Sequence, residues 1–368
     1  MKIRDKIYIA GHAGLVGSAI VRKLQEDGYN NVITKSFDLL DLRRQTDVEQ
    51  FFEQEKPDYV FLAAAKVGGI LANNTYKAEF IYDNLMIATN IIHASYKCGV
   101  KKLLNLGSSC IYPRLAPQPL KEEYLLTSAL EQTNEPYAIA KIAAIKLCQY
   151  YHEQYGTNFI SVMPTNLYGP HDNFNLETGH VLPALVRKFH LAKLLEHNDI
   201  QGLEADTQQS QIGFDINSWS HEKIAEHLKT IGITKNYVTL WGTGTVHREF
   251  LYIDDLAQAL IFLMKNYTQN DIGPFINVGT GIDLRIKELA SLIKNIVGFK
   301  GTIQWDSNKP DGTPRKLLDT SKIHALGWHH QTSLEEGIKK FYTHYLQRHA
   351  SNQKRTQGEG SCYHINQS

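Results

Sequence analysis

The sequence predicts an α/β protein: a doubly wound parallel sheet followed by a smaller C-terminal α/β domain. Three observations predict it. The chain opens on a buried-strand pattern, Ile7-Tyr8-Ile9-Ala10, that runs straight into a glycine-punctuated turn and a helical pattern from Ala19 to Gly28. Strand and helix patterns then alternate strictly as far as Met163, as parallel strands joined by crossover helices do. One of those strands, Leu103-Leu104-Asn105-Leu106, ends in Gly107-Ser108-Ser109-Cys110, and small hydroxyl residues at a strand's carboxyl end are where an open α/β sheet builds its site.

The turn after the first strand reads Gly11-His12-Ala13-Gly14-Leu15-Val16-Gly17. Its glycines permit a tight turn, close approach of a pyrophosphate to backbone amides, and close packing of helix on strand; the helix N-terminus adds a positive field. This Rossmann-type arrangement predicts a dinucleotide held at Gly11, Gly14, Leu15, Val16 and Gly17. The second strand, Asn31 to Thr34, ends at Lys35-Ser36-Phe37, where an NAD enzyme usually offers Asp or Glu to the ribose hydroxyls. Lys35 and Ser36 can instead take a 2′-phosphate, which favours NADP; NAD stays open, because Asp38 or Asp41 can bend back to the ribose. A helix near Thr46 to Lys56 follows, then Tyr59 to Ala65, suited to a central strand whose small terminal residues Ala63, Ala64 and Ala65 leave room for a cofactor. Lys66 to Ile70 reads as a loop over the site, and Phe80 to Tyr96 as a long helix packed by Ile81, Leu85 and Ile92. Beyond the Ser108 loop, broken by Pro113, Pro117 and Pro119, come a helix carrying Tyr137 and a strand at Phe159 to Met163.

Tyr137 and Lys141 stand four residues apart, which stacks a phenol and an ammonium on one helix face. The cation is expected to stabilise the phenolate and lower a pKa of ~10 toward the range of general acid/base work, so that the pair can exchange a proton with an alcohol. Tyr-x-x-x-Lys also arises where the tyrosine merely packs and the lysine is solvated. The Ser108 loop upstream favours the catalytic reading.

After Met163 the pattern loosens. Pro164 to His171 is turn-rich, and the next helix carries Arg187 and Lys188, which either meet substrate phosphates or form a solvated face. Trp241 to Gly244 and Arg248-Glu249-Phe250 read as a turn and a strand returning to the first domain. Asp311 to Lys316 is a loop of mixed charge, and Ser351 to Ser368 is polar and aperiodic, as disordered tails are. The expected division is residues 1–165 with a returning segment near 238–262; then 166–237 and 263–346, with an insertion near 195–236; then a disordered tail, 347–368.

Composition bounds the function. At 368 residues and 42% hydrophobic content the chain buries a full core in two domains. A net charge of +1 argues for neither nucleic acid nor an anionic membrane as partner. Cys98, Cys110, Cys148 and Cys362 are spaced for neither a disulfide framework nor a paired-cysteine zinc site, so no metal is expected and the setting reads as reduced and cytoplasmic. No basic-then-apolar leader is read at Met1 to Arg4, and runs such as Val60 to Ala65 are too short to cross a bilayer.

Four further stretches are specific. Ala63 to Ile70, Gly107 to Pro113, Met163 to Phe174 and Lys309 to Lys316 together resemble the GDP-L-fucose synthase family, epimerase-reductases of the extended short-chain dehydrogenase/reductase superfamily. The likeness covers Lys6 to about His190 and Val238 to about Tyr342. It implies reduction of a GDP-4-keto-6-deoxy sugar by NADPH, with Tyr137 protonating the C4 oxygen, Ser108 orienting it and Lys141 holding the nicotinamide ribose. It further implies that Cys110 as base and His180 as acid invert C3 and C5 beforehand. By the same resemblance Asp41, Leu42, Leu106, Pro164, Asn166, Leu167 and His180 join the cofactor residues. Ser108, Ser109, Cys110, Asn166, Val181, Lys188, Trp241, Arg248, Asp311 and Lys316 would hold the GDP-sugar, and a homodimer would form through the helices near Phe80 to Tyr96 and Tyr137 to Tyr155.

Departures from the family pattern are Ala13 and Phe37, where arginines are frequent, and the long stretch 195–236, whose Ser220, Ile224, Leu228 and Ile231 form a helical pattern able to reshape the sugar pocket. Two relatives of the leading reading follow: a C4-reductase of a GDP-4-keto-6-deoxy-heptose that does not epimerise, and a nucleotide-sugar dehydratase or 4-epimerase. Against the latter, Ser109-Cys110 stands where dehydratases carry Asp-Glu. A non-catalytic dinucleotide sensor would not keep Ser108, Tyr137 and Lys141.

Overall fold

The computed structural model describes residues 1–209, 220–309 and 311–358. In chain order these form β1 (Ile7–Ala10), α1 (Leu15–Glu26), β2 (Val32–Ile33), α2 (Gln45–Glu55), β3 (Tyr59–Leu62), α3 (Ile70–Thr75), α4 (Lys77–Lys97), β4 (Lys102–Leu106), α5 (Glu135–Tyr155), β5 (Phe159–Pro164), β6 (Asn166–Tyr168), α6 (Val181–Glu196), α7 (Ile200–Gln209), α8 (His221–Thr230), β7 (Tyr237–Trp241), β8 (His247–Tyr252), α9 (Ile253–Asn266), α10 (Gln269–Ile272), β9 (Ile276–Val278), β10 (Asp283–Arg285), α11 (Ile286–Val297), β11 (Thr302–Asp306), β12 (Arg315–Lys316), α12 (Ser321–Ala325) and α13 (Leu334–Gly358). The chain divides into two compact units: Met1–Asp172 with Thr245–Ile286 and Gly312–Leu334, and Asn173–Gly244 with Lys287–Asp311 and Glu335–Ser368.

In the first unit six parallel strands run in the order β2-β1-β3-β4-β5-β9. Alternate side chains of a strand point to opposite faces, and both faces here are covered. Ile7 and Ile9 pack with Ile20 and Leu24 of α1 and Leu256 and Leu260 of α9. Tyr8 and Ala10 pack with Phe52 of α2, Ile91 and Ile92 of α4 and Ala144 of α5. Each such fully buried aliphatic side chain stabilises the sheet by about 1.5–3 kcal/mol. The order reverses between β1 and β3, so the crevice at their carboxyl ends is the switch point where open α/β sheets bind ligands.

The expected domain boundaries need correction. β9 lies beyond residue 263 yet extends the main sheet, because its buried Ile-Asn-Val run pairs with β5. Residues 312–334 also belong to the first unit, where β12 pairs with β8 in a small sheet that β10 and β6 complete. That pairing sets Lys316 opposite Arg248.

The second unit holds α6, α7, α8 and the parallel pair β7 and β11. The stretch 195–236 contributes to its core through Leu203, Ile224, Leu228 and Ile233, all 3% exposed or less. The expected helix behind Ser220 is α8, whose N-cap hydroxyl accepts from Lys223 N. Residues 210–219 of the insertion lie outside the described residues. Helix α13 runs to Gly358, so the expected disordered tail does not begin at 347, and 359–368 fall outside the described residues. Among the described residues no helix is long and apolar enough to cross a membrane.

Candidate active site

The glycine turn sits at the switch point. Gly11 has φ +85°, and a Cβ there would fall 2.6 Å from the Ala64 Cα, so the turn lies directly against the end of β3. A Cβ on Gly17 would fall 2.1 Å from the Gly11 carbonyl oxygen, which locks α1 against the turn. Gly14, the N-cap of α1, is different: its nearest neighbour would be 3.6 Å away, so nothing in the protein itself demands glycine there. The room left at Gly14 faces outward from a helix N-terminus, as a diphosphate requires. His12 Nδ1 in the same turn is buried without a hydrogen-bond partner. Leu15, Val16 and Ala63 pack at the edge of one core face, and Leu42 and Ala64 at the edge of the other. These features fit a dinucleotide.

The residues nominated for its far ribose are less fully assembled. Lys35 turns toward α2, with Nζ 4.0 Å from a Glu55 oxygen and 6.0 Å from the Phe51 ring centre. Ser36 is exposed. Asp41 is engaged by Arg43, which donates to it from Nε at 2.9 Å and NH2 at 2.8 Å. Arg43 also reaches Asp83 at 3.3 Å and lies 5.3 Å from the centre of the Phe37 ring. Sequence reasoning passed over Arg43; the only signal was a basic residue two positions beyond an acidic candidate.

The reactive cluster forms where β4 ends. Gly107 N donates to Val162 O at 2.8 Å, fixing the exit of the strand. Ser108 then caps a short 3₁₀ turn, Ser109–Ile111, its hydroxyl accepting from Cys110 N at 3.3 Å. Ile111, Tyr112, Ile142 and Met163 pack beneath this loop, so it is seated on a core cluster of its own. Helix α5, opened by Asn134 with Pro136 in its first turn, brings Tyr137 and Lys141 to the same place. Lys141, 5% exposed, donates from Nζ to Leu106 O at 2.7 Å. Its Nζ lies 5.8 Å from the centre of the Tyr137 ring.

The expected tuning of Tyr137 is reversed. Burial drives the phenol well above its ordinary value, the Cys110 charge adds to the rise, and only a hydrogen bond with Ser108 opposes it. Burial likewise pushes Lys141 down to about 8. Desolvation therefore outweighs the ammonium–phenol attraction, and Tyr137 keeps its proton at neutral pH. For Cys110, burial raises the thiol, but the Lys316 ammonium and hydrogen bonds involving Ser108, Lys316 and Asn134 outweigh it and leave the thiol below its ordinary value. Lys316 Nζ donates to Cys110 Sγ at 3.4 Å.

The other nominated residues divide between the units. In the first, Asn166, between Pro164 and Leu167, donates from its side chain to Glu249 O at 2.7 Å, and Arg248 donates to His247 O at 2.7 Å. In the second, His180 is the N-cap residue of α6 and Val181 its exposed first residue. Lys188 is half-buried, its Nζ donating to Thr239 O at 3.4 Å and its pKa lowered by burial. Trp241 is 61% exposed at the end of β7 with Lys309 Nζ 5.3 Å from its ring centre, and Asp311 accepts from Thr243 N at 2.7 Å and Oγ1 at 2.8 Å. Arg187, which the sequence left between phosphate ligand and solvated face, is neither. It is fully buried, donating from NH2 to Asp206 at 2.8 Å and from NH1 to Phe174 O at 3.1 Å.

A parallel sheet with a diphosphate cradle at its switch point and Ser108, Tyr137 and Lys141 at a neighbouring strand end defines a dinucleotide-dependent enzyme of the short-chain dehydrogenase/reductase type. The chain belongs to the NAD dependent epimerase/dehydratase family, whose description matches residues 7–209 and 217–279, and within it to the GDP-L-fucose synthases. GDP-L-fucose synthase 1 of Arabidopsis thaliana is 54% identical over 341 residues, covering 93% of each chain. A GDP-6-OMe-4-keto-L-xylo-heptose reductase from Campylobacter jejuni superposes with a TM-score of 0.89 at 45% identity over 95% of this chain and 99% of its own. A GDP-mannoheptose C4 reductase from Campylobacter jejuni, solved with NADP bound, gives 0.84 at 46% identity over 94% and 99%.

Proposed function

We propose that this enzyme is an NADPH-dependent C4-reductase of a GDP-4-keto-6-deoxy sugar that first inverts C3 and C5. The glycine turn would hold the diphosphate of NADPH, which would supply hydride at C4. Tyr137 gives its proton to the C4 oxygen as the carbonyl becomes an alcohol, and Ser108 orients that oxygen. Lys141 steadies the phenolate left behind and binds the nicotinamide ribose. Cys110 as thiolate takes the proton from C3, the C–H electron pair moves into an enolate whose oxygen bears the charge, and His180 returns a proton to the carbon; solvent then takes the thiol's proton and reprotonates His180, and the same exchange is repeated at C5. Lys188, Trp241, Arg248 and Asp311 hold the GDP portion.

The observation that carries the reading is the assembly of Ser108, Cys110, Tyr137 and Lys141 at the end of β4, where the Ser108 hydroxyl accepts from Cys110 N at 3.3 Å and Lys141 Nζ donates to Leu106 O at 2.7 Å. The heptose reductases among the structural relatives support a second reading, reduction at C4 of a seven-carbon sugar without inversion. Incubation with NADPH and each keto-sugar in deuterated water separates them. Deuterium at C3 and C5 of the product supports inversion; its absence, with NADPH consumed, removes it.

We further propose that the enzyme is a cytoplasmic homodimer. Free thiols at Cys98, Cys110 and Cys148 support a reducing compartment. Exposed Tyr82 on α4 and Ile139, Tyr150 and Tyr155 on α5 support pairing through those helices. Light scattering of Tyr82→Glu/Tyr155→Glu is expected to read monomer; an unchanged mass rejects that face.

A further inference from the structure

Lys316 was nominated for the GDP-sugar, yet it stands against a sulfur. Its Nζ donates to Cys110 Sγ at 3.4 Å across 206 residues of sequence. The lysine is fixed there from several sides. Its backbone pairs with Arg248 in the β12–β8 register. Leu317 N donates to Gln118 Oε1 at 2.9 Å, and Leu120 N donates to Leu317 O at 2.7 Å, so β12 is stitched to the same loop that carries Cys110. Leu318 N donates to Glu249 Oε2 at 3.0 Å, while the other oxygen of that buried carboxylate accepts from Thr280 N at 2.5 Å and Gly281 N at 2.8 Å. The preceding Arg315 is held by Asp283 at 2.5 and 3.1 Å. A lysine side chain ordinarily has rotamer freedom to wander; one whose backbone is fixed on both sides starts from a set position.

We propose that Lys316 is a positioning residue for Cys110, its ammonium holding the sulfur as the thiolate that abstracts the sugar's C3 and C5 protons. This rests on the epimerising reading above. The thiolate, not the thiol, is the competent base, and an adjacent ammonium stabilises it. The groups facing the sulfur are Lys316 from β12, Tyr137 and Asn134 from the start of α5, and Ser108 from its own loop. Tyr137 stays neutral at working pH, so Lys316 supplies the positive charge among them.

The test is the pH midpoint of iodoacetamide labelling at Cys110, resolved from Cys98, Cys148 and Cys362 by peptide mass, in the parent and in Lys316→Gln, Lys316→Met and Lys316→Arg. The parent is expected to label with a midpoint below the ordinary ~8.5 of a thiol. Both neutral variants should shift it upward by a unit or more, which lowers the thiolate fraction at neutral pH about tenfold per unit. Lys316→Arg should restore it. Whichever neutral variant keeps the parent's circular dichroism carries the comparison, and the arginine variant supplies the rescue arm. A midpoint that stays put in the neutral variants while KM for the GDP-sugar rises overturns the proposal and returns Lys316 to the GDP-sugar. Deuterium exchange into the sugar is measured alongside. A shifted midpoint with no exchange in the parent keeps the lysine–thiolate pair and rejects inversion instead.

Discussion

In the proposed mechanism Lys141 makes the reduction step titrate where an ordinary lysine would not. The side chain is 5% exposed, its Nζ donates to Leu106 O at 2.7 Å, and burial carries its pKa from 10.5 to about 8. At 1.36 kcal/mol per unit, that displacement corresponds to a penalty of about 3 kcal/mol on the charged form. Below about pH 8 the residue is an ammonium and can steady the phenolate that Tyr137 becomes; above it the charge falls tenfold per unit and that support is lost. Because kcat/KM reports groups of the free enzyme, its profile for NADPH-dependent reduction should be flat near neutrality and fall above about pH 8. Lys141→Arg, whose guanidinium keeps its proton, should move the fall out of range. A plateau unbroken to about pH 9.5, or the same limb in the arginine variant, would refute the reasoning. The stability sign runs the other way. Between about 8 and 10.5 the unfolded chain binds the extra proton, so this residue's contribution to stability rises with pH across that window.

Other outcomes follow from single contacts. Tyr137→Phe should lower kcat for reduction by about 10²–10⁴, the worth of a general acid, while NADPH still binds by fluorescence titration and deuterium still enters C3 and C5; undiminished turnover rejects the acid. Arg187→Met should destabilise the protein to urea by about 3–5 kcal/mol, because it removes the guanidinium from a fully buried ion pair with Asp206. Arg187→Met with Asp206→Leu should recover most of that loss, and a double variant no better than the single would deny the pair its role. Gly17→Ala should cost about 1–3 kcal/mol by forcing a Cβ into the Gly11 carbonyl. Gly14→Ala should cost less stability than Gly17→Ala, only the loss of a favourable N-cap residue, while losing NADPH affinity; a variant that binds NADPH as the parent does would remove the diphosphate from this turn.

What the sequence made legible was local. The β1 strand, glycine turn and α1 sit within a short run of residues, and the Ser108 loop and Tyr137 helix each carry their own signal, so the sheet and its reactive edge could be read before any contact was known. What stayed hidden was every property set by distant partners. Lys141 looked like the tuner of Tyr137 by spacing, but desolvation by the surrounding core governs both groups. Arg187 read as either a phosphate ligand or a solvated cation because Asp206 lies in the insertion and Tyr345 near the end of the chain. Lys35 offered charge at the right strand end, yet Phe51 and Glu55 give it a nearer resting place. Residues 312–334 read as substrate domain by position, and only strand pairing returns them to the first unit.

The coupling of Cys110 to Tyr137 also links the two proposed steps. While the sulfur is anionic, its charge raises the phenol further above a value that burial has already lifted. The phenol therefore holds its proton while Cys110 stands as a thiolate. Once the sulfur has taken a sugar proton it is neutral, and that repulsion is relieved. Loss of the phenol proton to the C4 oxygen then leaves a single anion beside Lys141 and Lys316 instead of two. Protonation of Cys110 therefore favours proton loss from Tyr137, and a Cys110 thiolate opposes it.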